Sequence, residues 1–534
     1  MLRYCATCQY HPQRASDDVD LRARRKTVAS KSLRSIVSVF RIRFPRLIFC
    51  FIETFDIATL ASKVLSRLIT HLPPSRRLCG SPSLASYATM AATNGSSDGK
   101  KNIIVIGGGI IGCTSAYFLT RHPSYDPSKH TITLLEATKI AGGASGKAGG
   151  LLALWAYPSS IVPLSYRLHK QLSDEHGGEE RWGYRAVHCG QVDCIGRHLD
   201  APKPSVAGKE DKATSGEHGD LGTHRESVSL QKRSKEAVGK LRAAGVPSDL
   251  DWVDPGSLRL YDEMGDPTTT AQVHPFQFTT AMADLAKEKG ADIRVGASVK
   301  SINYNKSGDA VESVSYEDKD SGKQETVPAT DIVLAAGPWT QKVYPSAPIS
   351  ALRAHSVTIR PSRPVSAYAL FTQIKLPQSF GRTNEVNRGK GGKGFKAGRG
   401  EQIVTPEIYA RPKNEVYACG EGDHMIPLPK NTDLVEVDEK RCQDIVDYVS
   451  SISDELRDGE VTAKQACYLP NVNASGSGGP LIGLTDVKGL VMAAGHTCWG
   501  IQNGPGTGKL VSEFVFDGEA KSAKIKGLDP RIVL

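Results

Sequence analysis

The segment Asn102-Ile-Ile-Val-Ile-Gly-Gly-Gly-Ile-Ile-Gly112 constrains this chain more than any other, because an apolar run of strand length breaks into glycines and resumes as a helix-like stretch from Cys113 to Arg121. Within it Gly107, Gly109 and Gly112 fit G-x-G-x-x-G, and Ile110 and Ile111, between the last two glycines, are cofactor-binding candidates with them. Gly107 permits a tight turn, Gly109 lets the backbone approach a diphosphate, and Gly112 lets the helix pack against the strand. The helix N-terminus adds N–H groups and a partial positive charge for the anion. A second apolar run, Thr131 to Leu135, ends at Glu136 and completes a βαβ unit. A carboxylate there meets ribose hydroxyls and opposes a ribose phosphate, so NADP is disfavoured. The expected fold is α/β: a doubly wound, Rossmann-like dinucleotide domain in discontinuous pieces, plus a second domain on a mixed or antiparallel sheet.

Charge decides where that fold begins. The whole chain of 534 residues carries a formal +10, and the first 100 residues hold 16 Lys+Arg against 6 Asp+Glu. That leaves 51 basic and 51 acidic residues in 101–534, so the body is formally neutral and gives no support for nucleic-acid binding. The basic leader reads either as a mitochondrial targeting segment or as sequence ahead of a true start at Met90, in which case the protein is cytoplasmic. Its apolar run from Leu47 to Ile52 is far short of the ~20 residues that span a bilayer, and no transmembrane segment is expected. The 11 cysteines show no paired zinc spacing, so they read as free thiols and no metal site is expected. Polar stretches near 199–233 and 385–400 read as surface insertions.

A second small-residue segment follows Glu136 closely: Gly142-Gly-Ala144-Ser145-Gly-Lys147-Ala148-Gly149-Gly150-Leu151. Small residues let backbone amides reach along an extended cofactor. This order of glycine fingerprint, acidic strand end and Ala-Ser-Gly-x-x-Gly-Gly resembles the D-amino acid oxidase and sarcosine oxidase superfamily. The resemblance implies FAD, with the segment running beside its diphosphate toward the flavin. Further stretches are similar to the same family. His274 to Lys289 and the strand Ile293 to Val299 resemble the return to the FAD domain, with Val299 beside the adenine. Asp331 to Trp339 resembles a strand and turn over the cofactor, implying contacts from Ala336, Gly337 and Trp339. Gly489 to Leu510 resembles the final strand, flavin-edge loop and helix, implying contacts from Gly495, His496, Gly500 and Ile501. Gly506-Thr-Gly-Lys509 is no P-loop, since Asn503 and Leu510 stand where that motif needs Gly and Ser/Thr.

Departures from the family bear on chemistry. Gln502 stands where sarcosine oxidase-like members carry a lysine for the substrate carboxylate, so an amino acid substrate needs another cation, with Arg411 and Lys413 as candidates. Cys467 matches a position that tethers FAD covalently in some members, and is otherwise a buried thiol. No oxygen-activating lysine is found around Glu415 to Gly420. His496 either contacts cofactor or substrate or braces its loop, Trp499 is a candidate pocket wall, and His355 is a candidate from the substrate sheet. His496, Trp499 and Gln502 are the candidate catalytic set. The expected domains are 101–165, 270–345 and 470–525 for FAD, with 166–269 and 346–469 for substrate. The expected function is FAD-dependent oxidation of a C–N bond in an amine or amino-acid-like molecule. A 2-hydroxy acid dehydrogenase is one alternative, and a flavoprotein acting as a binding or trafficking component is another. Expected partners are a small-molecule substrate and an electron acceptor such as dioxygen, in a monomer or small homo-oligomer.

Overall fold

A computed structural model describes residues 99–200, 245–378, 380, 402–474 and 479–534. Apart from their margins, the leader and both insertions lie outside the described residues. Along the chain the elements that build the site are β1 (Lys101–Ile106), α1 (Ile110–Leu119), β2 (His130–Glu136), β3 (Leu151–Ala153), α2 (Val162–His176), β4 (His188–Ile195) and β5 (Leu258–Gly265). Next come α3 (Pro275–Glu288), β6 (Asp292–Val295), β7 (Ala297–Tyr304), β8 (Asp331–Leu334), β9 (Ile349–Arg360), β10 (Tyr368–Leu376), β11 (Glu407–Arg411) and β12 (Glu415–Cys419). The series ends with α4 (Glu439–Ser450), β13 (Glu460–Val472), β14 (Leu481–Leu484), β15 (Leu490–Ala494) and α5 (Gly500–Asp517).

The first sheet has the order β14-β15-β8-β1-β2-β6, parallel throughout except for the β14–β15 hairpin. β1 lies between β8 and β2, and Ile103 to Ile106 are buried on both faces, which explains a continuous apolar run in place of alternation. The fold class is the expected α/β one.

Two details differ from the sequence reading. The helix after β1 starts at Ile110, directly on the glycine turn. The expected single strand from Ile293 to Val299 is two strands, because Gly296 adopts φ +78° between them. β6 therefore edges the first sheet, while β7 turns away into a three-stranded antiparallel sheet.

Glycines near the C-terminus serve helix packing. A Cβ on Gly504 would lie 2.7 Å from Ile110 Cγ1, and one on Gly508 would lie 2.5 Å from the Thr114 carbonyl carbon. Thr114 Oγ1 donates to Gly504 O at 2.9 Å across the contact. The Gly-Pro-Gly-Thr-Gly run thus seats α5 on α1, and Lys509 pairs along the helix with Glu513 at 3.2 Å.

The second large sheet runs β13-β9-β12-β11-β10-β4-β5, with Gln402–Val404 pairing β10 off this path. Only β10–β4 is parallel among these neighbours. Side chains alternate across it. Ile408, Ala410, Val416 and Ala418 enter a core with α4, while Phe371, Tyr409, Tyr417 and Cys419 pack with β3 and Trp499. Among the described residues no helix is long and apolar enough to cross a membrane.

Candidate functional site

A cleft of about 1300 Å³, its open mouth included, runs along the carboxyl ends of the parallel strands. At one end it is lined by Glu136 and Val299, in the middle by Gly107, Gly109, Ile110 and Ile111, and at the other end by Gly495, His496, Gly500 and Ile501. Ala144, Ser145 and Ala148 form one flank, with Ala336, Gly337 and Trp339 on another.

Local geometry explains the glycine spacing. Gly107 has φ +109°, and a Cβ there would come within 2.5 Å of Ala335 O on the neighbouring strand turn. A Cβ on Gly112 would sit 1.9 Å from Gly107 O, so the helix could not begin where it does. Gly109 faces open space apart from Ser145 Oγ, which accepts from the Ile110 N–H at 2.9 Å. The Glu136 carboxylate accepts from the Gly108 N–H at 2.7 Å and from the Thr138 N–H at 2.9 Å, which fixes its orientation at the cleft. Two helix N-termini, those of α1 and α5, open onto the same space and favour an anionic occupant.

Other named residues lie behind the wall. Lys147 donates to Ala466 O at 2.8 Å, and Leu151 pairs with Gln272 in a small sheet. Gly149 backs onto the Tyr409 ring, and Gly150 onto Val273 O. Cys467 is 7% exposed and packs with Ala354 and Leu469, whereas Cys498 is the cysteine that lines the cleft. Burial pushes the Cys467 thiol up to about 11.

The three candidate catalytic residues have different places. Gln502 is 1% exposed and off the cleft wall, its Oε1 accepting from the Ala153 N–H at 2.8 Å. It ties α5 to β3, because the first turn of the helix aims the side chain inward. Trp499 does not wall the cleft, since its ring turns away to meet Trp155 edge-on at 5.6 Å and Tyr157 at 5.9 Å. His496 does line it, but its Nε2 is bound to Thr507 Oγ1 at 2.9 Å, and burial holds the imidazole down at about 3. A ring held so low is a weak base at neutral pH, and its Nε2 is already engaged within the loop.

The candidate substrate cations are also placed. Arg411 is buried and committed: it pairs with Glu415 at 2.8 Å, donates to the carbonyls of Ala148 and Gly149, and stacks over Tyr417. Lys413 occupies the β11–β12 turn with φ +63°. His355 lies in β9 within 3.7 Å of Asp423, and its Nε2 accepts from the Asp438 N–H, which puts it in a structural ion cluster off the cleft wall.

Sequence reasoning missed part of the lining. Lys342 follows β8, Lys430, Asn431 and Thr432 come from the connection between β12 and α4, and Leu469 and Pro470 come from β13. None sits in a periodic or glycine-marked stretch, so no local signal announced them.

A glycine turn with an acid at the next strand end, two helix N-termini and a long cleft between two sheets define a protein of the dinucleotide-binding class. The profile of the FAD dependent oxidoreductase family (DAO) matches residues 102–514, and the chain belongs to that family. It is 38% identical over 521 residues to the Saccharomyces cerevisiae protein named "Putative oxidoreductase TDA3", covering 82% of this chain and 95% of that one. A Schizosaccharomyces pombe protein of the same description is 34% identical over 442 residues, covering 80% and 98%. In fold the chain is similar to glycine oxidase from Bacillus cereus, with TM-score 0.53, 16% identity and coverage of 79% and 96%. It is also similar to L-proline dehydrogenase from P. horikoshii, with TM-score 0.51, 17% identity and coverage of 81% and 97%. The protein is therefore an FAD-dependent oxidoreductase.

Proposed function

We propose that the chain oxidises a C–N bond of an amine or amino-acid-like substrate, with FAD seated in the cleft between the two large sheets. The observation that carries the reading is one continuous cleft joining Glu136 and Val299, the glycine turn, and the loop from Gly495 to Ile501. Bound FAD supplies the hydride acceptor. The residues present fit it: Glu136 stands where ribose hydroxyls are expected, and the N-termini of α1 and α5 favour the diphosphate and the negative charge of a reduced ring.

The chain's own groups mainly bind and orient. Burial makes His496 a weak base and its Nε2 is tied to Thr507 Oγ1, so the reading gives it the bracing of the loop in place of proton removal. An amine must then arrive uncharged, and turnover rises with pH through the substrate's own ammonium titration. Gln502 and Arg411 are both engaged with backbone, which leaves neither to neutralise a substrate carboxylate.

Anaerobic mixing of the FAD-loaded protein with amines, amino acids and 2-hydroxy acids tests it, with loss of flavin absorbance as the signal. Bleaching by amines is expected. Bleaching by hydroxy acids alone would overturn the reading in favour of a hydroxy acid dehydrogenase.

A further inference from the structure

Three cleft-lining residues, Lys430, Asn431 and Thr432, come from the connection between β12 and α4, which belongs to the second sheet and not to the dinucleotide-binding strands. The root of this segment is held deeply. Arg353 and Asp423 exchange backbone hydrogen bonds at 3.0 and 2.7 Å and pair through buried side chains at 3.1 Å. Tyr468 donates its hydroxyl to the carbonyls of Ile426 and Pro427 at 3.0 and 3.1 Å.

Beyond Pro427 the segment crosses to the other wall. Pro429 O accepts from Trp339 Nε1 at 2.8 Å and from Lys342 Nζ at 2.7 Å. Thr432 Oγ1 meets Thr138 Oγ1 at 2.5 Å and lies 2.9 Å from where a Cβ on Gly142 would be. Lys319 pairs with Asp433 at 3.2 Å, with both side chains exposed. Root and tip thus differ in kind: the root is a buried ion pair with paired backbone, and the tip is a few part-buried or exposed polar contacts, each of small net value.

The tip contacts reach the turns after β2 and β8, the two strands that flank β1, so the segment bridges the two sheets across the cleft. Lys342 and Lys430 both line that cleft, which adds two ammonium groups to a wall whose other charged side chain among the described residues is Glu136. A dianionic dinucleotide beneath the segment gains attraction from these groups, while an empty cleft leaves them to repel one another.

We infer that Pro427–Asp433 is a strap that retains FAD, hinged at Arg353–Asp423, and that the cofactor enters and leaves when the Pro429–Thr432 tip lifts from Trp339, Lys342 and Thr138. The inference rests on the cleft being the seat of FAD. It adds residues of the second sheet to cofactor binding and makes exchange a gated step.

The test is a reversible lock. In FAD-loaded Thr138→Cys/Thr432→Cys protein, the two sulfurs replace hydroxyl oxygens that already touch, and a disulfide between them fixes the tip. Free flavin fluorescence after dilution reports release. The oxidised protein should release FAD at least tenfold more slowly than the same protein after reduction. Thr138→Val/Lys319→Ala, which loosens the tip at residues off the cleft wall, should release it several-fold faster than the unaltered chain. Equal rates for the oxidised and reduced lock, with the disulfide verified by mass, would overturn the strap while leaving the seat intact. Unchanged release in Thr138→Val/Lys319→Ala would do the same. Failure of the unaltered chain to hold FAD would overturn the seat itself.

Discussion

His169 donates its Nε2–H to the carbonyl oxygen of Ile501, 3.0 Å away, and this is the carbonyl that Pro505 leaves without a partner inside α5. Proline has no N–H to return to the residue four positions earlier, so the first turn of α5 would carry an orphaned acceptor in a fully buried place. The imidazole from α2 repairs it, and Gln502 O shares the same nitrogen at 3.2 Å. The turn that follows the flavin-edge loop is therefore held from outside the helix.

That repair predicts an acid-sensitive fold. Burial holds His169 down at about 4 and His496 at about 3, against an ordinary value near 6.5. The unfolded chain takes up protons on both rings as pH falls below 6.5, and the folded chain does not. Their stabilisation is therefore complete above pH 6.5 and is lost progressively on acidification. For His169 alone the loss amounts to about 3 kcal/mol by pH 4, at ~1.4 kcal/mol per unit. Urea unfolding of the unaltered chain and of His169→Gln at pH 7, 5.5 and 4.5 checks this. The variant should show a shallower dependence on pH, and equal slopes would remove His169 from the account.

Arg411 predicts a link between the second sheet and the cofactor wall. Its guanidinium satisfies the carbonyls of Ala148 and Gly149 as well as Glu415, all from a buried side chain. Arg411→Met should cost about 2–4 kcal/mol through the carbonyls and carboxylate left unpaired. Arg411→Lys should recover only part, because one ammonium cannot reproduce the planar fork. Thermal unfolding gives the first quantity and FAD titration of the apoprotein the second, with weaker affinity expected in both variants.

Gly149 and Tyr409 make a paired prediction at the same junction. A Cβ at Gly149 would lie 2.2 Å from Tyr409 Cε2, so Gly149→Ala must push the segment into the cleft or displace the ring. A loss of FAD affinity of about tenfold is expected, in line with ~1.4 kcal/mol of strain. Tyr409→Ser opens the space, so the double variant should bind FAD more tightly than Gly149→Ala alone. Strict additivity of the two changes would show that they do not meet.

How much of this was legible beforehand follows from range. β1, its glycines and Glu136 were readable because strand, turn and helix N-terminus are set by neighbours within a few residues. Gly504 and Gly508 were legible as unusual but not as a helix contact, since their partners, Ile110 and Thr114, stand almost 400 positions earlier. Gln502 shows the limit on the site. Matching a motif identified its place in the chain, yet whether its amide faces the cleft or Ala153 depends on the turn at which α5 starts. Lys430 of the Pro427–Asp433 segment was illegible for a different reason. A loop of Pro, Lys, Asn and Thr carries no periodicity, and only the course of the chain between sheets brings it over the cleft.

The attachment of FAD can be predicted from the same geometry. A covalent link would require the Cys467 sulfur to reach the flavin, but its side chain packs among Ala354 and Leu469 and is absent from the cleft lining. Its thiol is also driven up to about 11 by burial, which leaves almost no thiolate to act as nucleophile at neutral pH. Acid precipitation of the purified protein should therefore release the yellow colour to the supernatant. Cys467→Ser should bind FAD with an unchanged spectrum and lose on the order of 1 kcal/mol of stability, as for a small polar change in a packed core. Colour retained in the pellet of the unaltered protein, and lost from the pellet of Cys467→Ser, would mean that the β13 edge opens enough to bring this sulfur to the ring. Retention in both would direct the search to Cys498, which already lines the cleft.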